Sequence, residues 1–386
     1  MKKIRSVITG GAGFIGSNLV DKLVGKGHFV TIIDNLSTGR FSNVSQHSRK
    51  SVKFVNYDIS NPKNLSKIIK GNTYVYHLAG LADIVPSIEN PDKYFYSNVV
   101  GTFNVLQASK KCKVKKFIYA ASASCYGFPK KFPTSEKEEI KPMYPYAFTK
   151  WQGEELVCHF NKIFKLPTVS LRFFNIYGPR SRTGGTYGAV FGVFLAQKLK
   201  KKPLTIVGDG NQTRDFLHVN DLVDLIYKVS TSKISGKIYN VAGGKEVKVN
   251  TIAKLIGGKK VNIPKRPGEP DRSLADIQKV KKDFKWKPQI SIKEGVENLI
   301  KNINHWKNAP VWTPSKISAA TKIWFEPNFF SKSFFKNESF FRSNLIIVHI
   351  YFSSFFNSSY SLIFRFIKLR VSLVFSAIPA GVRTYK

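Results

Sequence analysis

Tyr146 and Lys150 are the two residues of this sequence whose types and spacing most clearly predict chemistry. On an α-helix, residues four positions apart project from the same face. A free tyrosine, with a pKa of about 10, is a poor base at neutral pH, but a nearby ammonium stabilises its phenolate. Lys150 is therefore expected to activate Tyr146 as a general base. Ser122 or Ser124, which follow an apolar run, is expected to share a proton with Tyr146 and a substrate hydroxyl.

A glycine-rich turn near the start of the chain gives this pair its context, because a Tyr and a Lys at this spacing are common by chance. Gly10, Gly13 and Gly16 follow a predicted strand at Ile4–Thr9 and open a predicted helix at Phe14–Lys26. Glycine permits positive φ and close backbone approach. The N-terminus of the helix offers free N–H groups and the positive end of its dipole to a phosphate. The combination predicts that the pyrophosphate of a dinucleotide binds here.

Asp34 identifies the expected dinucleotide. It ends the second apolar run, His28–Ile33, and lies 18 positions after Gly16. An acidic residue at this distance binds the hydroxyls of the adenosine ribose and repels a 2′-phosphate, which favours NAD over NADP. The nearby Arg40 argues against this preference for NAD. With NAD bound, the remaining donors of Lys150 are expected to hold the ribose of the cofactor.

The spacing of the apolar runs predicts the fold class. Runs at Ile4–Thr9, Phe29–Ile33, Val52–Tyr57, Tyr74–Ala79, Lys116–Ala121 and Thr168–Phe173 are separated by helical patterns. Strands that alternate with helices indicate an α/β fold with a doubly wound parallel sheet. Further along, residues 214–230 are predicted to be a helix and Ile238–Ala242 a strand, both returning to this sheet.

The composition restricts the class of protein. The net charge is +38, but the lysines are scattered and no nucleic-acid-binding motif is present, so nucleic acid is not an expected partner. The three cysteines have no metal-binding or redox spacing, and no metal site is expected. Reduced thiols and an N-terminus that lacks a signal-peptide pattern predict a cytoplasmic protein.

Residues 327–386 differ from the rest of the chain. This tail contains twelve Phe, eight Lys or Arg and one acidic residue, and has no clear helical period. Its apolar stretches are too short or too interrupted by charge to make a good membrane span. Three interpretations stay open: an unpacked or frame-shifted extension, a membrane-surface anchor, or an integral part of the fold. Membrane association is the less favoured expectation.

The motifs together resemble the extended short-chain dehydrogenase/reductase family, within its NAD-dependent nucleotide-sugar epimerase/dehydratase group. The resemblance covers about residues 1–326 and rests on the segments Gly10–Gly16, Asp34–Gly39, Asp58-Ile59, Asn98–Thr102, Ser122–Gly127, Tyr146–Lys150, Arg172–Pro179 and Arg214–Val219. It implies a Rossmann NAD-binding domain from residues 1–176 and 213–245. It also implies a smaller C-terminal α/β domain, from residues 177–212 and 246–326, that binds a UDP-sugar. A homodimer is the implied assembly.

The resemblance and the strand-end positions also assign site residues. The expected cofactor-binding residues are Gly10, Gly13, Phe14, Ile15, Gly16, Asp34, Asn35, Ser37, Thr38, Gly39, Asp58, Ile59, Leu78, Ala79, Gly80, Asn98, Tyr146, Lys150 and Phe174. The expected substrate-binding residues are Ser124, Asn175, Thr205, Ile206, Val207, Arg214, Arg266, Glu269, Arg272 and Ser273. The arginines would hold the diphosphate, since a guanidinium pairs bidentately with phosphate. Thr205, Ile206 and Val207 would frame the uracil, and Glu269 would accept from the uridine ribose.

The residues beside the catalytic strand favour one branch of the group. Dehydratases carry an acid pair where this chain has Ser122-Ala123-Ser124, and decarboxylases place a Glu at the position of Ser124. Small hydroxyl residues there resemble the UDP-hexose 4-epimerases. Ser273 matches a position that is a bulky Tyr in epimerases confined to glucose and galactose, which hints at room for a 2-acetamido group. The alternatives are a UDP-glucuronate epimerase or decarboxylase, a 4-keto reductase, and a non-catalytic NAD-binding scaffold.

Overall fold

The computed structural model describes residues 3–181, 190–265 and 270–315. The strands are β1 (Arg5–Thr9), β2 (Phe29–Asp34), β3 (Val52–Asn56), β4 (Tyr74–His77), β5 (Lys116–Ser122), β6 (Thr168–Phe173), β7 (Asn175–Tyr177), β8 (Leu204–Val207), β9 (Thr213–His218), β10 (Lys237–Val241), β11 (Glu246–Lys248) and β12 (Lys260–Ile263). The helices are α1 (Phe14–Gly25), α2 (Leu65–Ile69), α3 (Ile84–Glu89), α4 (Pro91–Phe95), α5 (Gly101–Lys111), α6 (Pro145–Phe164), α7 (Val190–Leu199), α8 (Val219–Thr231), α9 (Val249–Ile256), α10 (Gln278–Phe284) and α11 (Ile292–Lys301). Arg266, Glu269 and the predicted tail at 327–386 lie outside the described residues.

The main sheet has seven strands in the order β10-β6-β5-β4-β1-β2-β3, and every neighbouring pair is parallel. The chain builds outward from β1 in both directions, so the strand order reverses between β1 and β4. In open α/β sheets a ligand binds at this point, beyond the carboxyl ends of the strands. The predicted α/β fold with a doubly wound Rossmann sheet is confirmed.

The central strands are buried on both faces because helices cover both sides of the sheet. Val7 and Ile8 are neighbours in β1, yet they belong to different clusters of the core. Successive residues of a strand point to opposite faces, so each strand contributes to both clusters. Ile8 packs in the cluster that includes residues of α1 and α8, and Val7 in the cluster that includes residues of α5 and α6. Burial on both faces explains why these strands appear in the sequence as short continuous apolar runs.

The prediction of one helix over residues 214–230 is wrong in its first part. Residues 213–218 form β9, which pairs in parallel with β7 and antiparallel with β11 in a second, three-stranded sheet. Only α8, which starts at Val219, is helical. The pairing on both edges of β9 satisfies its backbone groups, and no Gly or Pro separates the two elements in the sequence. The predicted strand at 238–242 corresponds to β10, which joins the main sheet beside β6.

A third core cluster lies beneath the smaller sheets. It joins Tyr177 at the end of β7, Phe191 and Phe194 of α7, Ile206 of β8 and Trp306 near the end of the described chain. The cluster is built mainly from the residues assigned to the smaller domain, whose boundaries stay a prediction. In the described ranges, 3–181, 190–265 and 270–315, the helices all fall short of the length and apolar character needed to cross a membrane.

Candidate active site

The glycine turn between β1 and α1 is closely packed. Gly10 has φ of +72°, and a Cβ added there would lie 2.7 Å from the backbone nitrogen of Ala79. A Cβ on Gly16 would lie 2.1 Å from the carbonyl oxygen of Gly10. Both glycines are therefore required by the packing of the turn against itself and against the end of β4.

Gly13, the N-cap of α1, has a different environment. Within 4 Å a Cβ there would meet only the Gly10 carbonyl oxygen, at 3.2 Å. This contact is tight but less severe than those at Gly10 and Gly16, and Gly13 lines the cavity at the carboxyl end of the sheet. No side chain of the described ranges caps α1, so its first N–H groups are available to an anion. The turn fits a bound pyrophosphate.

Asp34 ends β2 and is 8% exposed. Its Oδ2 accepts a hydrogen bond from the Ala12 N–H at 2.9 Å, and its Oδ1 accepts one from the Leu36 N–H at 2.8 Å. Each carboxylate oxygen keeps a further lone pair, which can accept from a ribose hydroxyl. Asp34 thus joins the end of β2 to the glycine turn and presents an acceptor to the cavity.

Asp58 lies beyond the end of β3, on the same side of the cavity. It accepts from Asn35 Nδ2 at 2.9 Å and from the Ser60 N–H at 2.8 Å. Burial alone would raise the pKa of Asp58, but the hydrogen bonds from Ser60 and Asn35 hold this pKa below its ordinary value. The carboxylate is therefore charged at neutral pH.

The cavity has a volume of about 390 Å³ and runs along the ends of β1, β2, β3 and β4. Predicted cofactor residues in its lining are Gly10, Gly13, Phe14, Ile15, Gly16, Asp34, Asn35, Ser37, Thr38, Asp58, Ile59, Leu78, Ala79 and Gly80. Gly39, Asn98, Tyr146, Lys150 and Phe174 lie outside this lining. Gly39 packs against Ala12 and Asp34, and Phe174 donates its N–H to the Val241 carbonyl at 3.0 Å.

Tyr146 is the second residue of α6, directly after Pro145. Its hydroxyl donates to Ser122 Oγ at 3.2 Å, and Ser122 Oγ lies 2.8 Å from Ser124 Oγ. The end of β5 and the start of α6 therefore bring together the three hydroxyls that the sequence predicted to share a proton. Burial raises the pKa of Tyr146, and the hydrogen bond to Ser122 lowers it in part.

Lys150 lies one turn further along α6 and is 7% exposed. Its Nζ lies 4.3 Å from the centre of the Tyr119 ring, and a Cβ on Gly80 would be 3.7 Å from the same nitrogen. The ammonium thus lies against the loop that lines the cavity. Burial lowers the pKa of Lys150 to about 7, against an opposing contribution from Glu154. The lowered pKa comes from desolvation in a cleft, which is typical of a functional lysine.

A continuous chain of hydrogen bonds fixes the loop after β4. His77 is fully buried, with Nδ1 2.7 Å from Thr9 Oγ1 and Nε2 2.8 Å from Thr102 Oγ1. The Thr102 hydroxyl donates to the Asn98 carbonyl at 2.6 Å, and Thr9 Oγ1 accepts from the Ala79 N–H at 3.2 Å. Because the Thr102 hydroxyl donates to a carbonyl, it accepts from His77 Nε2–H. The uncharged ring then accepts at Nδ1 from the Thr9 hydroxyl. Burial, followed by the charge of Lys150, lowers the pKa of His77 to about 3.

Asn98 has a supporting position behind the cavity. Its Oδ1 accepts from the Leu81 N–H at 2.8 Å, and its Nδ2 donates to the Leu81 carbonyl at 3.1 Å and to Thr149 Oγ1 at 3.1 Å. The side chain therefore holds the loop after β4 against α6. Asn98 positions the loop that lines the cavity.

Arg172 and Glu154 form a buried ion pair behind the catalytic strand, with exposures of 4% and 1%. Arg172 Nε donates to both Glu154 oxygens, at 3.1 and 3.0 Å, and Nη1 donates to Tyr126 Oη at 2.8 Å. Tyr126 in turn donates to Asn240 Oδ1 at 2.7 Å. The network joins β6, α6 and β10 to the turn that carries Ser124.

The predicted diphosphate-binding arginines lie on and beside β9. Arg214 donates from Nη1 to the carbonyls of Thr213 and Pro270, each at 2.8 Å. Arg272 is about half exposed and pairs with Glu246 through Nε and Nη2, both at 2.8 Å. Arg266 and Glu269 fall outside the described residues. Asn175 starts β7 and pairs with Phe216 of β9.

The remaining predicted substrate residues have varied environments. Thr205 Oγ1 accepts from Gln197 Nε2 at 2.8 Å, and Ile206 is 1% exposed in the third core cluster. These two side chains are engaged within the protein. Val207 is half-buried and its carbonyl accepts from Gln212 Nε2 at 2.9 Å. Ser273 is half-buried beside Leu274, whose carbonyl accepts from the Thr134 N–H at 2.8 Å.

Several cavity-lining residues were not predicted from the sequence. They are Ile33, Tyr57, Leu81, Ala82, Asp83, Ser97, Ala120, Ile176 and Ser181. Asp83 follows the predicted segment Leu78–Gly80 closely, and that proximity was a usable signal. Ser181 follows the Gly178-Pro179 turn, is 7% exposed, and its Oγ has no hydrogen-bond partner in the described chain.

The comparison with known proteins agrees with this arrangement. A family model described as GDP-mannose 4,6 dehydratase matches residues 7–299. The chain belongs to this family. A putative UDP-glucose 4-epimerase of Methanocaldococcus jannaschii is 36% identical over 304 residues, which are 76% of this chain and 96% of that protein. Plant proteins named UDP-glucuronic acid decarboxylase match at 32 to 33% identity.

Two solved structures of the family are also similar. One is a UDP-N-acetylglucosamine 4-epimerase from Methanobrevibacter ruminantium M1 in complex with UDP-N-acetylmuramic acid. It has 33% identity and a TM-score of 0.74, and the match covers 78% of this chain and 100% of that one. The other is a UDP-glucuronic acid 4-epimerase from Bacillus cereus in complex with UDP-glucuronic acid and NAD. It has 33% identity and a TM-score of 0.71, and the match covers 78% and 99% of the two chains.

Membership of the GDP-mannose 4,6 dehydratase family settles the coarse function. The chain is an NAD-dependent enzyme of the nucleotide-sugar epimerase/dehydratase group, and NAD is its cofactor, as predicted. The family model carries the name of a dehydratase, whereas the relatives include epimerases and decarboxylases. The reaction and the sugar must therefore be argued from the site itself.

Proposed function

We propose that the protein is an NAD-dependent UDP-hexose 4-epimerase that acts through a transient 4-keto sugar. The supporting observation is the trio of hydroxyls at the end of β5, where Tyr146 Oη lies 3.2 Å from Ser122 Oγ and Ser122 Oγ lies 2.8 Å from Ser124 Oγ. Hydroxyls can accept and return a proton. They are poor groups for eliminating water or for assisting loss of a carboxylate.

Tyr146 would remove the proton from the sugar 4-hydroxyl. When bound, NAD supplies the hydride acceptor. Ser124 would hold the sugar hydroxyl, and Ser122 would align Tyr146 through the observed hydrogen bond. Because Tyr146 lies in the first turn of α6, the positive end of the helix dipole favours its phenolate. Lys150 adds a positive charge when protonated and would hold the cofactor ribose.

Epimerisation needs no further acid or base. The 4-keto sugar would turn in the pocket, and Tyr146 would return the proton to the same oxygen. Epimerisation has no net oxidation or reduction, so we expect the cofactor to stay bound through purification. A reductase or dehydrogenase would instead exchange its cofactor.

The identity of the sugar is the more specific part of the proposal. UDP-glucose and UDP-galactose are the base expectation, and half-buried Ser273 favours UDP-N-acetylglucosamine and UDP-N-acetylgalactosamine as well, because a small side chain leaves room for the 2-acetamido group. The solved relative named as a UDP-N-acetylglucosamine 4-epimerase supports this extension. The homodimer, the cytoplasmic location and the boundaries of the two domains stay predictions.

The test is product analysis. The purified protein is incubated separately with UDP-glucose, UDP-N-acetylglucosamine and UDP-glucuronate, and the products are identified by NMR while NADH absorbance is followed. We expect two C4 isomers at equilibrium with no net NADH. A 4-keto-6-deoxy sugar would indicate a dehydratase, and a pentose from UDP-glucuronate would indicate a decarboxylase. Turnover of UDP-glucose with none of UDP-N-acetylglucosamine would refute the role given to Ser273.

A non-catalytic NAD-binding scaffold is the alternative of a different class. The geometry of Tyr146 with Ser122 and the lowered pKa of Lys150 argue against it, because a scaffold has no use for a buried lysine beside a proton-sharing tyrosine. Absence of turnover with every UDP-sugar, together with retained NAD, would favour the scaffold.

A further inference from the structure

The turn at residues 178–181 carries a buried hydroxyl that the mechanism above does not use. Ser181 is 7% exposed, and its Oγ is buried with no hydrogen-bond partner in the described ranges 3–181, 190–265 and 270–315. Buried polar groups of native proteins nearly always have a partner, because losing water without replacing it costs free energy. The Ser181 hydroxyl therefore calls for a partner from outside these parts of the chain.

Two side-chain contacts hold this turn against the beginning of α1. Asn18 Nδ2 donates to the carbonyl of Phe14, the first residue of α1, at 2.9 Å and to the carbonyl of Pro179 at 3.2 Å. One turn further along the helix, Arg180 Nη2 donates to Asp21 Oδ2. The turn is thus fastened beside the helix N-terminus that faces the cavity.

The backbone of the turn gives Ser181 a defined position in the cavity wall. The Ser181 N–H donates to the Gly178 carbonyl at 3.3 Å, which closes the turn. Gly178 has φ of +150°, and a Cβ there would lie 2.5 Å from Val219 Cγ1 at the start of α8. Ser181 lines the cavity together with Gly13 and Gly16 of the glycine turn. An unpartnered donor and the uncapped N-terminus of α1 therefore border the same space.

We infer that Ser181 is a further NAD-binding residue, whose hydroxyl donates a hydrogen bond to the pyrophosphate held at the N-terminus of α1. A hydrogen bond from a hydroxyl to an anionic oxygen is stronger than one between neutral groups, and it would satisfy the buried Oγ. Ser181 follows β7, far along the chain from the glycine turn, so the cofactor would be held by two distant segments. The inference concerns the cofactor and stands whichever sugar the enzyme uses.

The test measures NAD affinity by titration of protein from which NAD has been removed, in wild type, Ser181→Ala and Ser181→Cys. Both variants keep the size of the residue close to that of serine, and both remove the strong donor. We expect the affinity to fall roughly tenfold or more in each. Ser170→Ala is the matched control, because Ser170 in β6 is 1% exposed, its Oγ also lacks a partner in the described chain, and it lies outside the cavity lining. This control should keep the wild-type affinity.

Urea unfolding separates a contact with NAD from a structural role. Without NAD, Ser181→Ala should unfold at the same urea concentration as wild type or a higher one, because it removes an unpartnered buried hydroxyl. The increase of this midpoint at a fixed concentration of NAD should be smaller in the variant.

Three results would overturn the inference. They are unchanged NAD affinity in both Ser181 variants, an equal loss of affinity in Ser170→Ala, and a lowered midpoint of NAD-free Ser181→Ala, which would show that the hydroxyl bonds within the protein. Every measurement is made without a sugar, so a failed epimerase assay leaves the test of Ser181 intact.

Discussion

The hydroxyl of Tyr146 donates a hydrogen bond to Ser122 Oγ across 3.2 Å, from the first turn of α6 to the end of β5. This contact joins the proposed base to the last residue of β5, and Ser124 lies in the turn that follows. It places the proton-accepting group at the carboxyl end of the sheet, where the cavity opens.

Replacing Tyr146 by Phe removes the base and keeps the ring. We expect turnover to fall by about 10² to 10⁴, the usual contribution of general acid–base catalysis, while the bound NAD is retained. The measurements are the epimerisation rate and the cofactor released on denaturation. Tyr96→Phe, which removes a hydroxyl from a half-exposed ring, is the control and should change neither value. Full activity in Tyr146→Phe would disprove the assigned role.

The glycine turn offers a matched pair of substitutions in one helix. A Cβ at Gly16 would meet the Gly10 carbonyl at 2.1 Å, whereas a Cβ at Gly25 meets nothing within 4 Å. Gly16→Ala should displace the turn and reduce NAD affinity roughly tenfold or more, a change of about 1.4 kcal/mol or more. Gly25→Ala should keep NAD and stabilise the fold by about 0.5–1 kcal/mol. Titration of NAD-free protein with NAD measures both, and equal affinities would contradict the proposed pyrophosphate site.

The pKa of Lys150 predicts a pH dependence of stability. In the folded, NAD-free protein this pKa is about 7, against an ordinary value of 10.5. Between these values the unfolded chain holds a proton that the folded protein has lost. Stability of the wild type should therefore rise with pH relative to Lys150→Met, by roughly 2 kcal/mol from pH 7 to pH 9. Urea unfolding of both proteins at the two pH values measures the difference, and a constant difference would show that Lys150 stays protonated.

The buried pair of Arg172 and Glu154 should be important for stability. Arg172→Met leaves Glu154 charged and without its cation, which should cost about 3–5 kcal/mol in the free energy of unfolding. The double change Arg172→Met with Glu154→Met should recover part of this loss, because it removes the uncompensated charge. Chemical denaturation of the three proteins tests this. Glu139→Gln, which breaks the exposed pair with Lys141, is the control and should leave the midpoint unchanged.

The central strands and the cofactor turn were predictable because their signals are local. Strands buried on both faces must be apolar along their whole length, and the turn needs glycine at fixed offsets. The strand at 213–218 was missed because its pairing with β7 and β11 depends on tertiary structure. Its apolar pattern also continues into α8 without a break.

The site was predictable in its residue types and less so in its electrostatics. Lys150 was expected to lower the pKa of Tyr146, yet burial raises this pKa in the folded protein. Desolvation depends on how deeply α6 packs, which the spacing of two residues does not reveal. Asp83, a lining residue of the cavity, was missed for a related reason. Its place there depends on how the loop after β4 packs, which the spacing of residues in the sequence does not reveal.

The buried hydrogen-bond chain through His77 has one more consequence. Each hydroxyl in it donates in one direction and accepts in the other, and the backbone groups at its ends cannot reverse their roles. Histidine is the side chain that most often changes charge near neutrality, but burial lowers the pKa of His77 to about 3 and keeps this ring uncharged. The loop after β4, which lines the cavity, is therefore supported by a residue whose charge does not change near neutral pH. Any acid-linked loss of activity above about pH 5 would have to originate in other groups of the enzyme.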